Sequence, residues 1–476
     1  MKEITRRGFL KAAGVGSLGL ALACSAGAED AVEPRPALNI VFILADDLGW
    51  SDVGCYGNTF NETPNIDRLA RQGMRFTDAY AACPVCSPTR ASILSGQYPA
   101  RLGLTDFIRG HQRPFEKLTV PVNRQQYMPL EILTIAEALK PAGYMSGAFG
   151  KWHLGGREHF PDKQGFDSML VTSGWGHFGN NSVPNIQIGK DEYLTEVLAD
   201  HCERFMETNR DKPFFLYMSH FAVHIPLEAR QQLIEKYEKK PKPPTGINNP
   251  IYAAMVEHVD ISVGRILKKI DDLGLADNTV VVFYSDNGGL RQMYTGEGPI
   301  VTTNAPLRDE KGTLYEGGIR EPLIVRWPAV VKPNTECKVP VTSVDFYPTF
   351  LEIARLKGDP SHTLDGESIL PLLKRKGKLN RDAIYWHYPH YHHSTPAGAI
   401  RRGDYKLLEF YDDCRVELYN LREDIGETNN LAAAKPNLAA NLQNQLAAWR
   451  ESVNADMPTK NPDHDPARAH EWGKPK

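Results

Sequence analysis

Cys86, with Pro88 and Arg90 two and four residues further on, sits in a segment that reads as the mouth of a helix. Ser87 suits an N-cap, Pro88 suits the first helical position, where its fixed φ fits and no N–H is needed, and Gly96 suits the end. Free backbone amides and the helix dipole favour an anion there, and Arg90, one turn in, adds a positive fork matched to a tetrahedral oxyanion. The expected chemistry is a nucleophile facing an oxyanion. Cys83-x-x-Cys86 also has the spacing of a redox or metal pair, but no second C-x-x-C accompanies it, and Pro88 with Arg90 explains Cys86 better. A separate donor set is Asp46, Asp47, Asp286 and Asn287. Three carboxylates and an amide carbonyl are hard oxygen ligands that suit Ca²⁺, with Mg²⁺ as second choice. Alone, an Asp pair is more often a turn or a cap, and Lys151 with His153 more often a solvated loop.

The surrounding elements decide whether these groups meet. Residues 39–44, 144–149, 214–218, 279–284 and 323–325 are short apolar runs bounded by polar residues, separated by helical patterns over 63–73, 131–139, 192–208 and 252–273. Alternation of continuous apolar strands with helices predicts an α/β fold with a mainly parallel sheet covered on both faces. Ligands of such sheets bind beyond the carboxyl ends of the strands. Four of the runs end at Asp46/Asp47, Lys151/His153, His224 and Asp286/Asn287, so these groups are expected to converge on one crevice. After about Pro371 the texture changes to shorter runs at 384–386, 399–401, 405–410 and 416–421 and a helix over 437–453. These predict a smaller C-terminal α+β domain, with a catalytic domain over 37–372 and a second over 373–476 ending in a polar tail.

Cys86-Ser87-Pro88-Thr89-Arg90, followed by Ala91 to Gly96, resembles the C-x-P-x-R signature of the formylglycine-dependent sulfatases, with Thr89 at the position usually held by Ser. Gly150-Lys151-Trp152-His153-Leu154-Gly155 is similar to that family's G-K-W-H-L-G block, residues 311–322 to its K-G-x-x-x-E-G-G-x-R-x-P block, and His224-Ile225-Pro226 to its H-x-P element. The resemblance implies an alkaline-phosphatase-like fold and hydrolysis of sulfate esters. It implies that a formylglycine-generating enzyme converts Cys86 to 3-oxoalanine (formylglycine), and that an oxygen of this residue joins Asp46, Asp47, Asp286 and Asn287 on the metal.

On that reading Arg90, Lys151 and Lys311 offset the charge of the ester, and Asp286 is the base beside the attacking hydroxyl of the aldehyde hydrate. His224 or Lys311 protonates the departing alcohol. The remaining hydroxyl lets the formylglycine sulfate hemiester release sulfate, with His153 as base. His220 is assigned to the substrate side. Within 386–393, a run of rings, Trp386 and His387 are expected to stack on and hydrogen-bond sugars, with Trp175 and His177 as further candidates. The substrate expected is a sulfated polysaccharide or glycosaminoglycan. Alternatives are a phosphate or phosphonate ester hydrolase on the same fold, or an inactive sulfoglycan-binding protein.

The chain is 476 residues long with 41% hydrophobic content, enough for a large core, and its formal net charge of −3 offers no basic patch for nucleic acid. Thr5-Arg6-Arg7-Gly8-Phe9-Leu10-Lys11 precedes a short apolar run and a small-residue stretch, the pattern of a twin-arginine export signal over 1–28. That run is too short for a transmembrane helix, and none is expected in the mature chain. The expected location is periplasmic or secreted, and Cys24 offers a site for a lipid anchor.

Overall fold

Asn39–Ala45 is a strand in the middle of the large sheet, hydrogen-bonded in parallel to Phe214–Ser219 on one side and to Thr279–Ser285 on the other. Met145–Gly150 continues the parallel set beyond Phe214–Ser219. The apolar runs are unbroken because both faces are covered. Val41, Ile43 and Ala45 enter a core under the helices Leu194–Thr208 and Pro250–Asp272, while Ile40, Phe42 and Leu44 enter another under the helices Cys86–Ser95 and Phe346–Ile353.

The computed structural model describes residues 38–473 apart from 173, 174, 180, 181, 185, 187 and 245. The twin-arginine segment and Cys24 lie outside the described residues. Among the described residues no helix is long and apolar enough to cross a membrane. The expected α/β architecture is present: a ten-stranded, mostly parallel sheet between helices, and a four-stranded antiparallel sheet formed by 383–388, 397–402, 405–410 and 416–420. Arg320–Arg326 runs antiparallel to its neighbours, Thr279–Ser285 and Met74–Tyr80.

Several boundaries differ from the sequence reading. The first residue of the nucleophile-bearing helix is Cys86 itself, preceded by extended Val85, and Ser87 does not cap it. Ser87 Oγ instead accepts the Ile108 N–H at 3.1 Å, while Gly96 ends the helix at φ 68° as expected. The helix expected from 131 begins at Ile135, because Thr134 and Glu137 close a capping box there. The polar tail is not loose: Thr459–Lys460 pairs with Leu118–Thr119, and Gly473 bridges to Gln112.

The two sheets share a core in which Tyr80, Val85 and Ile319 pack with Trp386, Leu408 and Tyr419. A buried charge cluster crosses the same junction. Lys406 lies 2.9 Å from both Glu316 and Glu427, and Arg320 donates to Glu316 at 2.6 Å. Removing Lys406 leaves Glu316 to Arg320 but takes from buried Glu427 its one ion pair among the described residues, so Lys406→Met is expected to cost roughly 3–5 kcal/mol of stability in denaturant unfolding. A loss under 1 kcal/mol would mean that the acids take up protons at no cost.

Candidate active site

Register explains why the site residues meet. Ala45 pairs with Ser285, Leu44 with Ser219, and Ser219 with Gly150, so four adjacent parallel strands stop at one level. Asp46, Asp286, His220 and Lys151 are the next residues in each chain.

Under this edge lies Arg90, wholly buried. Its Nε donates to Asp286 Oδ2 at 2.8 Å, one terminal nitrogen donates to the Lys151 carbonyl at 2.8 Å and to Ser219 Oγ, and the other is 2.7 Å from Asp286 and 3.5 Å from Asp46. The sequence put Arg90 against the anion; the structure puts it beneath the carboxylates, away from the pocket wall. Its reach from the first helical turn across the strand ends makes it a clamp for Asp286 and Asp46.

The acids form a tight group. Asn287 Nδ2 donates to Asp47 Oδ1 at 2.8 Å, and the Asp47 N–H donates to Asp286 Oδ1 at 3.2 Å, with Asp47 held at φ 59°. Lys151 Nζ is 2.5 Å from Asp46, and Lys311 Nζ donates to both oxygens of Asp47 at 2.7 Å. Burial and the adjacent Asp46 push the Asp286 carboxyl up to about 6, against the opposing pull of Arg90. At Asp47 burial also pushes upward, but Lys311, His224 and Lys151 outweigh it and hold the group below the usual range.

The fit to a hard cation rests on unused oxygens. Asp46 Oδ1 and Asn287 Oδ1 are buried without a hydrogen-bond partner, beside two further buried carboxylates. Ligand atoms of Asp46, Asp47 and His224 also lie within 4.8 Å of one another. The proximity of His224 to that set was not anticipated.

Cys86 Sγ is 3.2 Å from His153 Nδ1, and His153 Nε2 is 2.5 Å from the Ile108 carbonyl. A carbonyl only accepts, so the ring proton sits on Nε2 and the Nδ1 lone pair faces Cys86. Burial and Lys151 keep this ring neutral, well below its ordinary range. Burial also pushes the Cys86 thiol up despite Lys151 and Lys311, so the unmodified side chain is a thiol and not an activated thiolate. His224 donates through Nδ1 to the Ile225 carbonyl at 2.6 Å, leaving Nε2 3.7 Å from Asp47, and burial pushes the ring down to about 3.

These groups open into a cleft of about 760 Å³ lined by Cys86, His153, His224, Lys311, Trp175 and His392 among others. A second cavity of about 490 Å³, beside Cys55, Arg75 and Glu336, touches none of the expected site residues. Three substrate-side expectations need correction. Trp386 is fully buried, its indole N–H donating to the Ala81 carbonyl at 2.8 Å. His387, on the opposite face of the same strand, is spent on Tyr411 and the Asp456 carbonyl. His220 is buried beside Ser262. None of the three lines the cleft, because strand alternation turns Trp386 into the shared core and His220 ends an inner strand. From the 386–393 run it is His392, past the strand end, that reaches the wall. His393 Nδ1 donates to the Lys311 carbonyl at 2.7 Å, and a Cβ on Gly312 (φ 79°) would lie 2.0 Å from His392 Nδ1, so this pair packs against the loop that presents Lys311. His177 sits behind His224, donating to its carbonyl at 2.8 Å.

A buried acidic pocket with unused oxygens, two lysines, two neutral histidines and a cysteine at a helix start define a hydrolase for a tetrahedral anionic ester. The sulfatase family model matches residues 38–356, and a model described as N-sulphoglucosamine sulphohydrolase, C-terminal, matches 309–452. A sulfatase of Formosa agariphila is 34% identical over 88% of this chain and 89% of its own. The N-acetylgalactosamine-6-sulfatase of Mus musculus is 34% identical over 78% and 72%. A crystal structure of Ps i-CgsB in complex with k-i-k-neocarrahexaose superposes with a TM-score of 0.75 at 28% identity, covering 90% of this chain and 96% of that one. The chain belongs to the sulfatase family.

The loop that carries Ile108 to His153 depends on Asp106, whose carboxylate accepts the Phe107 and His111 N–H groups. Burial pushes this carboxyl up to about 7. Its folded pKa lies above the unfolded value near 3.9, so the stability it contributes is full below that value and is lost as pH rises from about 4 to 7. Asp106→Asn keeps an acceptor but cannot ionise. Urea midpoints measured from pH 4.5 to 7.5 are therefore expected to fall less steeply with pH in the variant; parallel profiles would reject the assignment.

Proposed function

We propose that this protein is an exported hydrolase of sulfate esters on carbohydrate, with Cys86 converted to formylglycine and Ca²⁺ held by Asp46, Asp47, Asp286, Asn287 and the modified residue. The observation that carries the reading is the meeting of Cys86 and the neutral base face of His153 with three buried acids and the Asn287 amide, which keep oxygens unused. When present, the cation supplies charge stabilisation and the aldehyde hydrate supplies the attacking hydroxyl. The other duties fall to side chains of this chain. Lys311, on the cleft wall, and Lys151, paired with Asp46, are both about nine-tenths buried; they bind the non-bridging oxygens of the ester and offset charge as it builds. Asp286, fixed by Arg90, accepts a proton during attack. His153 takes a proton at Nδ1 as sulfate departs.

His224 gives a proton at Nε2 to the leaving alcohol. Its position over the cleft, with Nδ1 committed to a carbonyl, leaves only that nitrogen for the task. Burial holds the free ring neutral, and an anionic ester beside it raises its proton affinity again. The carbohydrate assignment is supported by the named substrate of the Mus musculus relative, by the oligosaccharide bound in the Ps i-CgsB structure and by the rings along the cleft. Export rests on the Arg6-Arg7 segment. Cys86, Pro88 and Arg90 are all buried, so the maturing enzyme must act on the segment before the chain folds.

Mass spectrometry of the peptide containing Cys86, from protein made in its own host, is expected to show the aldehyde, and chelation is expected to abolish sulfate release until Ca²⁺ is restored. An unmodified thiol in fully active protein would overturn the assignment. His224→Ala is expected to lower kcat by about 10²–10⁴ on a sugar sulfate and far less on an aryl sulfate with an acidic leaving group, as befits loss of a general acid. Equal losses on both would remove that role.

A further inference from the structure

Among the described residues no carboxylate lines the cleft wall beyond the ester site, yet it carries a charged side chain that the protein does not use. Arg109 is exposed at the cleft, and among the described residues its guanidinium has no ion pair or hydrogen bond. It is placed close to the chemistry by the chain itself. Ile108, the residue before it, gives the carbonyl that holds His153, and His153 touches Cys86. The backbone here is anchored on the other side by the Ile108 N–H to Ser87 Oγ at 3.1 Å. Arg109 therefore stands on a fixed base and lines the same cleft as Cys86, His153 and His224.

Trp175 lines the same cleft and is 80% exposed, an unusual state for an indole that is not presented to a ligand. Its ring stands 5.8 Å from that of His224 and 6.5 Å from that of Phe221, so the buried side of the site supports it while one face stays free. A free indole face suits the apolar face of a pyranose ring, and a free guanidinium suits a planar carboxylate or a sulfate. Positive charge with no acid to neutralise it also concentrates the local field in a cleft.

From this pairing we infer that the cleft holds a second subsite, in which Arg109 binds an anionic group on the sugar next to the one that carries the scissile ester while Trp175 stacks on a ring. The inference rests on the hydrolase reading above and deepens it: the substrate is a polyanionic glycan and not an isolated sulfate ester. A uronate carboxylate and a second sulfate offer the same chemistry to a guanidinium.

The test compares three disaccharides that share one scissile sulfate ester and differ only in the neighbouring sugar, which is uronate-bearing, sulfated or neutral. With matured enzyme, Arg109→Gln is expected to lower the ratio of kcat/KM on an anionic neighbour to that on the neutral one by about tenfold, mainly through KM, as loss of a charge-assisted pair predicts. Arg109→Lys should retain part of the ratio, and whichever anionic disaccharide loses more identifies the anion. Trp175→Ala should lower kcat/KM on all three. Calorimetric binding of the same disaccharides without the scissile ester gives a readout independent of turnover, so a protein that fails to release sulfate but keeps the Arg109-dependent binding contrast sinks only the hydrolase reading. The subsite is overturned if Arg109→Gln changes all three substrates by the same factor, or if the parent binds the anionic disaccharides no more tightly than the neutral one.

Discussion

Asp46, Asp47 and Asp286 lie side by side with essentially no access to water, and like charges in so poor a dielectric repel strongly enough that the fold has to answer them. Arg90 answers Asp286 and Asp46, Lys151 answers Asp46, and Lys311 answers Asp47 from the cleft side. The raised Asp286 carboxyl and the lowered Asp47 carboxyl show how unevenly that charge is balanced. Much of the molecule serves this balance. The helix from Cys86 carries Arg90 into position, the parallel register brings the acids to one level, and the Lys311 loop is gripped by His393.

The rim of the site is built differently from its floor. The floor comes from strand ends fixed by backbone ladders, whereas the rim comes from loops fixed by side chains. Asn123 Oδ1 accepts the Thr105 and Asp106 N–H groups, Asp106 closes its own loop, and the C-terminal tail adds Trp472 against His111 and Tyr294. Separating the two lets the chemistry stay rigid while the outer wall is free to match a particular substrate.

Legibility followed the same division. The inner strands were visible as apolar runs because both faces are buried, and their observed ends moved by only a residue or so. Met74–Tyr80 was missed: its sequence, MRFTDAY, mixes polar and apolar residues because part of that strand is only half-buried. Asp46, Lys151 and Asp286 were legible because each follows a strand directly and His153 and His224 because they lie a few residues further on, whereas Lys311, in a loop far from any strand end, was legible only through the block it resembles. The roles of Trp386 and His387 were misjudged because ring content was read without the alternation of the strand that carries them. Arg109 left no local signal. It follows no strand and belongs to no spaced motif, and its importance arises only from what its neighbour Ile108 touches.

By itself the sequence determined the helix mouth at Cys86, the α/β alternation and the set of polar groups at strand ends, since these depend on residue type and on spacing along one element. Tertiary structure decided which of those groups face solvent. It turned Arg90 inward as a clamp, sent Trp386, His387 and His220 into the interior, and brought His392, Trp175 and Arg109 to one cleft. The reason is physical: whether a cation meets a ligand or a buried carboxylate depends on elements far apart in the chain, and the partners of Arg90 lie up to 196 positions away.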